Sequence, residues 1–219
     1  MKKRTVLLFA AALLLFSSCG SNQTGIDLKY SIDGMEVSVQ SINSRRVKGD
    51  NSGMSASWKD VSEFTISEEC DLIVRASIAK LEEYSISYDT KTDLHVTNYG
   101  TVLTAVVNEV YLGDASLKEA QITINNEYVE SNRPAGARSI AVGEEYYFFL
   151  RKTEGHPENM LGYERFVEYF IVLPPIDDYL ISADEPVSKP MLKLLQYNAK
   201  SALPVSEDMD ELLRAAIGK

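Results

Sequence analysis

Cysteine is nearly absent from this chain, with only Cys19 and Cys70 among 219 residues. That scarcity excludes a disulfide framework, so the fold must rest on its apolar core. Histidine is equally scarce, at His95 and His156. No spacing of the thiols, imidazoles or carboxylates resembles a zinc motif, an EF-hand loop or a phosphate loop. No metal and no cofactor is therefore expected. Basic charge is also in deficit, with 22 Lys+Arg against 32 Asp+Glu. Nucleic-acid affinity comes largely from Lys and Arg displacing counterions, so an acidic surface argues against nucleic acid and against adsorption to anionic lipid.

One long apolar run exists, at residues 6–16 (VLLFAAALLLF), behind Lys2, Lys3 and Arg4. A charged start followed by an apolar stretch too short to span a bilayer has the form of a secretory leader. The run ends in Phe16-Ser17-Ser18-Cys19, which resembles the lipobox of bacterial lipoproteins, with phenylalanine where leucine is usual. The resemblance implies removal of residues 1–18, a diacylglyceryl thioether on Cys19 and acylation of the new amino terminus, palmitate being a typical chain. Several acyl chains, at about 0.8 kcal/mol per buried CH₂, hold a protein stably where one does not. The expected location is the bacterial cell envelope, extracytoplasmic and membrane-anchored through Cys19.

The remaining chain divides by pattern. Residues 19–34 read as the anchor and a polar tether. Residues 35–66 hold a first strand at 35–42, where Met35, Val37 and Val39 alternate with polar residues, and a flexible loop at 43–57; Trp58 and Phe64 return the chain to the core. Residues 67–180 are β-rich, with expected strands at 71–81, 101–112, 121–125, 146–150 and 165–173 separated by turn signals. Residues 181–219 carry two helices. Ser188-Lys189-Pro190 starts one, and the acidic run from Ser206 starts another that ends at Gly218. These patterns predict a mainly β fold, an OB-like five-stranded barrel with C-terminal helices.

Three segments carry a further likeness: 67–76 (SEECDLIVRA), 108–113 (NEVYLG) and 142–150 (VGEEYYFFL). Over about residues 67–173 the chain resembles bacterial extracytoplasmic proteins with a barrel of the netrin-module and tissue-metalloproteinase-inhibitor type. That resemblance implies a closed five-stranded OB-like barrel. The animal inhibitors chelate protease zinc through the amine and carbonyl of an amino-terminal cysteine. A lipidated Cys19 has a blocked amine, so this role is carried over to no residue.

Chemistry is thinly supplied. Nucleophilic catalysis needs a nucleophile, a base within reach and a group that orients the base. Cys70 precedes an apolar run and reads as a small core residue, and both histidines fall in expected loops. The acidic doublets Glu68-Glu69, Glu82-Glu83, Glu144-Glu145 and Asp177-Asp178 place neighbours on opposite strand faces or in turns, so no carboxylate pair and no catalytic residue is assigned. Tyrosines gather near the last two expected strands, and Tyr146, Tyr147, Tyr163 and Tyr169 are the candidate binding face, since tyrosine offers a broad apolar ring and a polar tip. The expected role is an extracytoplasmic binding or interaction module, with an envelope protein, a peptide or a glycan as partner. The alternatives are an envelope hydrolase with an unrecognised site and an inhibitor of an extracellular protease.

Overall fold

The computed structural model describes residues 25–43, 64–90, 92, 94–129, 139–155, 161–172, 181–200 and 202–218. The expected leader, Cys19, most of the expected loop at 43–57, Trp58, His156 and Asp177-Asp178 lie outside the described residues.

The barrel grows from strands whose alternate residues are apolar. β3 (Leu72–Asp89) pairs with β4 (His95–Leu112), which pairs with β5 (Gln121–Asn126). β5 runs parallel to β7 (Tyr169–Ile171), β7 pairs with β6 (Glu145–Lys152), and β6 returns to the first half of β3. First, second, third, fifth and fourth strands thus follow one another around a partly closed ring, the five-stranded OB arrangement. Period-two alternation turns Leu72, Val74, Ala76, Leu103, Ala105, Ile122, Ile124, Tyr146 and Phe148 into the ring. Each of these is at least nine-tenths buried.

Both long strands outrun their sequence patterns, which suggested 71–81 and 101–112. A β-bulge between Ile78 and Lys80 lets Ala79 slip without a partner in β4. After it the apolar row of β3 changes face. The outer half then reads Glu82, Glu83, Tyr84, Ser85, Ile86, Ser87, a pattern that makes sense only once β2 (Met35–Ser41) pairs against it. Beyond the ring, β2, β3 and β4 therefore continue as an open sheet.

A further strand corrects the reading of residues 19–34 as wholly tether. β1 (Asp27–Ile32) pairs along its whole length with β2 through a two-residue turn, Asp33-Gly34. Asp33 and Gly34 have φ of 50° and 80°, the left-handed geometry that tight hairpins need and that Asp-Gly supplies. Leu28, Tyr30 and Ile32 face an apolar cluster with Val37, Val39, Tyr84, Ile86 and Val167. The expected strand 165–173 is also revised: a 3₁₀ turn, Tyr163–Arg165, occupies its start and β7 keeps three residues. β8 (Ile181–Ser182) adds a short strand to β6.

The helices pack on the outside of the ring. α1 (Ile66–Glu69) leads into β3, and Ser188 caps α2 (Lys189–Asn198) by accepting from the Met191 amide. Asp208 caps α3 (Met209–Ile217), two residues later than the acidic run suggested, and Gly218 ends it in the left-handed region. Met191, Leu194, Leu195, Met209, Leu212 and Leu213 are buried against Ile73, Tyr111, Tyr147 and Phe149. Among the described residues no helix is long and apolar enough to cross a membrane.

Candidate functional site

The four tyrosines named from sequence do not share an exposed face. Tyr146 and Tyr169 are buried in the barrel interior, and Tyr147 is buried beneath the helices. Tyr163 is half-buried in the cluster beside β1 and β2. The doublet 146–147 explains the miss, because adjacent strand residues point to opposite sides and here both sides are covered. The candidate binding face built on these four residues is therefore corrected.

What the fold does bring together is a polar seam where α3 meets the ring. Tyr147 Oη donates to Asp210 Oδ1 at 2.5 Å, and Tyr111 Oη donates to the same oxygen. Arg75 Nη1 stands 3.4 Å from Asp210 Oδ2, and Arg75 Nε stands 3.4 Å from Glu145 Oε1. Asn108 Nδ2 donates to Ser77 Oγ at 2.7 Å and to Glu145. Burial, reinforced by the Asp210 carboxylate and only partly opposed by Arg75, raises both phenols well above the ordinary tyrosine range. They stay protonated donors, so the seam acts as a clamp for α3. Arg214 completes it from the helix, meeting Glu109 Oε1 at 3.0 Å and lying over the Tyr111 ring.

Cys70 is no nucleophile. Burial pushes its thiol up to about 12; Arg151 opposes this, while Glu69 and Asp71 add to it. A thiol so shifted carries almost no thiolate at neutral pH.

A second polar constellation lies on the open sheet. On β4 the row Ala105, Leu103, Thr101, Tyr99, Thr97, His95 begins inside the ring and leaves it on the same face. Cross-strand pairing sets Ser85 opposite Tyr99 and Ser87 opposite Thr97, and extends the rows to Gln40 and Ser38 on β2. At the end of the hairpin the side chains join in a chain. His95 Nδ1 is 2.8 Å from Asp89 Oδ1, His95 Nε2 is 3.4 Å from Thr97 Oγ1, and Thr97 Oγ1 is 2.9 Å from Ser87 Oγ. His95, expected in a loop, opens β4 instead. The His95 and Asp89 side chains remain 67% and 69% exposed, so the chain of hydrogen bonds faces water. Sequence reasoning missed it because the four residues are drawn from two strands and meet only through the register. The one local signal is the alternation His95, Thr97, Tyr99.

Among the described residues, no group of three or more His, Cys, Asp or Glu could hold a metal ion. Comparison of the chain with protein-family models, curated proteins and solved structures gives no match.

Proposed function

We propose that this chain is a lipid-anchored, extracytoplasmic binding or interaction module of the bacterial envelope, related to the netrin-module type of barrel. The leader and Cys19 support the anchor and the location. The observation that carries the binding role is the open face of β2, β3 and β4, where Ser38, Gln40, Ser85, Ser87, Thr97 and Tyr99 line a surface continuous with the barrel mouth. Hydroxyl, amide and phenol groups at strand spacing offer alternating donors and acceptors to a peptide or glycan, and half-buried Tyr99 adds a ring for stacking.

Two experiments test the reading. Detergent partitioning and intact mass of wild type and Cys19→Ala should show loss of the lipid mass and release to the soluble fraction; unchanged partitioning overturns the anchor. Glycan and peptide panels titrated against wild type, Thr97→Val and Tyr99→Ala should give binding that both substitutions weaken while the melting temperature holds. Binding indifferent to both substitutions moves the ligand off this face.

A second reading, an envelope hydrolase, draws on the Asp89–His95–Thr97 chain, in which a carboxylate orients an imidazole whose other nitrogen reaches a hydroxyl. The exposure of the pair weighs against it, because water screens the charges that such catalysis must stabilise. Ester hydrolysis abolished by His95→Gln would establish it.

A further inference from the structure

β1 is the outer strand of the sheet, paired among the described residues with β2 alone. Its hydrogen-bonding sense follows from the turn. Ile32 and Met35 flank the two-residue loop, and the Ser41 amide donates to the Ile26 carbonyl at 2.7 Å, so the even-numbered residues of the strand bond to β2. The amides and carbonyls of Asp27, Lys29 and Ser31 consequently point away from the sheet, and their side chains are exposed on its polar face. An edge of this kind is a template for another strand unless its side chains forbid it.

Here the side chains select one partner. We propose that β1 pairs antiparallel with β1 of a second copy of this chain, about a two-fold axis through Leu28. In that register Asp27 lies opposite Lys29 of the second copy and Lys29 opposite its Asp27, giving two cross-strand ion pairs on one face. On the other face, Leu28 meets its own copy and Ile26 meets Tyr30, so the apolar rows run on from copy to copy. The pairs Asp27 to Lys29 are the ones whose backbone groups face outward, so the register also satisfies the main-chain bonds.

Neighbouring registers fail on charge. Centring the axis on Asp27 sets Asp27 against itself, centring on Lys29 sets Lys29 against itself, and centring on Tyr30 sets Asp27 against Asp33. Neither Asp27 nor Lys29 has an ion pair within the chain among the described residues, so both are available to the second copy. An isologous interface of this kind closes after two copies, because each β1 edge is consumed. It also joins the open polar faces of both copies into one surface. The proposal stands on strand register and charge, and holds or falls independently of the anchor and of any ligand.

Charge exchange tests it. The full-length chain in non-ionic detergent is examined by sedimentation velocity across a concentration series, for wild type, Lys29→Asp, Asp27→Lys and the double exchange. Each single change replaces two attractive contacts with two repulsive ones and should weaken the dimer by about tenfold or more. The double exchange restores both pairs and should return the dimer to near wild-type strength. Melting temperatures are measured alongside at a concentration where every chain is monomeric, and because both substituted positions are exposed, they should agree there among all the chains. A wild-type chain that remains monomeric throughout, or a dimer unmoved by the single changes, overturns the proposal. So does a double exchange no stronger than the singles.

Discussion

Gly100→Ala should be among the most damaging small substitutions in the molecule. Gly100 lies directly across from Tyr84 in the β3–β4 pairing, and the Tyr84 ring folds over the bare backbone. A methyl group added there would stand 2.6 Å from Tyr84 Oη, 2.7 Å from Cζ and 2.8 Å from Cε1, well inside van der Waals contact. The ring has little room to yield. Tyr84 is 2% exposed, Phe166 packs edge-on against it with centroids 5.2 Å apart, and its hydroxyl donates to Asn125 Oδ1 at 2.6 Å. Overpacking of this sort costs about 1–3 kcal/mol. A ring pushed aside also strands the buried Asn125 carbonyl oxygen, at about 1–3 kcal/mol more. The sum is about 2–6 kcal/mol, or a melting temperature lower by roughly 10 °C for a chain of this size. Chemical denaturation of the full chain measures it, and the cycle with Tyr84→Leu isolates the cause: the tyrosine substitution should cost about 1–3 kcal/mol less in the chain already carrying Gly100→Ala than alone. Additive losses, or a Gly100→Ala change below about 0.5 kcal/mol, would refute the reasoning.

Asp210→Ala removes the shared acceptor of Tyr111 and Tyr147; the seam is open to water on one side, so the expected loss is about 2 kcal/mol by denaturation, and Tyr147→Phe should then add almost nothing. Cys70, with its thiol near 12, should react with iodoacetamide at pH 8 roughly a thousandfold more slowly in the folded chain than in denaturant, and comparable rates would contradict its burial. Glu82 gives a pH dependence. Burial works against its ionisation, but hydrogen bonds from Lys80, Ser41 and the Ile26 amide outweigh that and hold its carboxyl below the ordinary value. A depressed pKa contributes stability that is present above the unfolded value of about 4.3 and is lost as pH falls through the folded one. Melting temperature from pH 6 to pH 3 should therefore drop more steeply in wild type than in Glu82→Gln, and parallel curves would exclude a stabilising role for these hydrogen bonds to Glu82.

Legibility varied with how local each signal was. The strand cores at Leu72 to Ile78, Leu103 to Val107 and Tyr146 to Leu150 could be read because alternation in the first two, and an unbroken apolar run in the third, are written in consecutive residues. The helix caps were close to correct for the same reason, Ser188 and Gly218 acting within one turn of where they stand. β1 was within reach, since Asp33-Gly34 followed an alternating Leu28, Tyr30, Ile32, but the polar residues between them disguised it as tether. The tyrosine face failed for a different reason. Composition identifies a tyrosine and its neighbours in sequence, whereas burial depends on what is laid over the strand, here α3 on one side and the ring on the other.

The candidate site follows the same division. Sequence alone determined the acidic balance, the scarcity of cysteine and the mainly β character, all properties of composition and short-range period. Only the tertiary structure decided the ring order, the open sheet beyond it and the meeting of Asp89, His95, Thr97 and Ser87 across two strands. The physical reason is register: a bulge at Ala79 shifts every later residue of β3 by one position against β4, and a shift of one exchanges the faces on which its side chains appear.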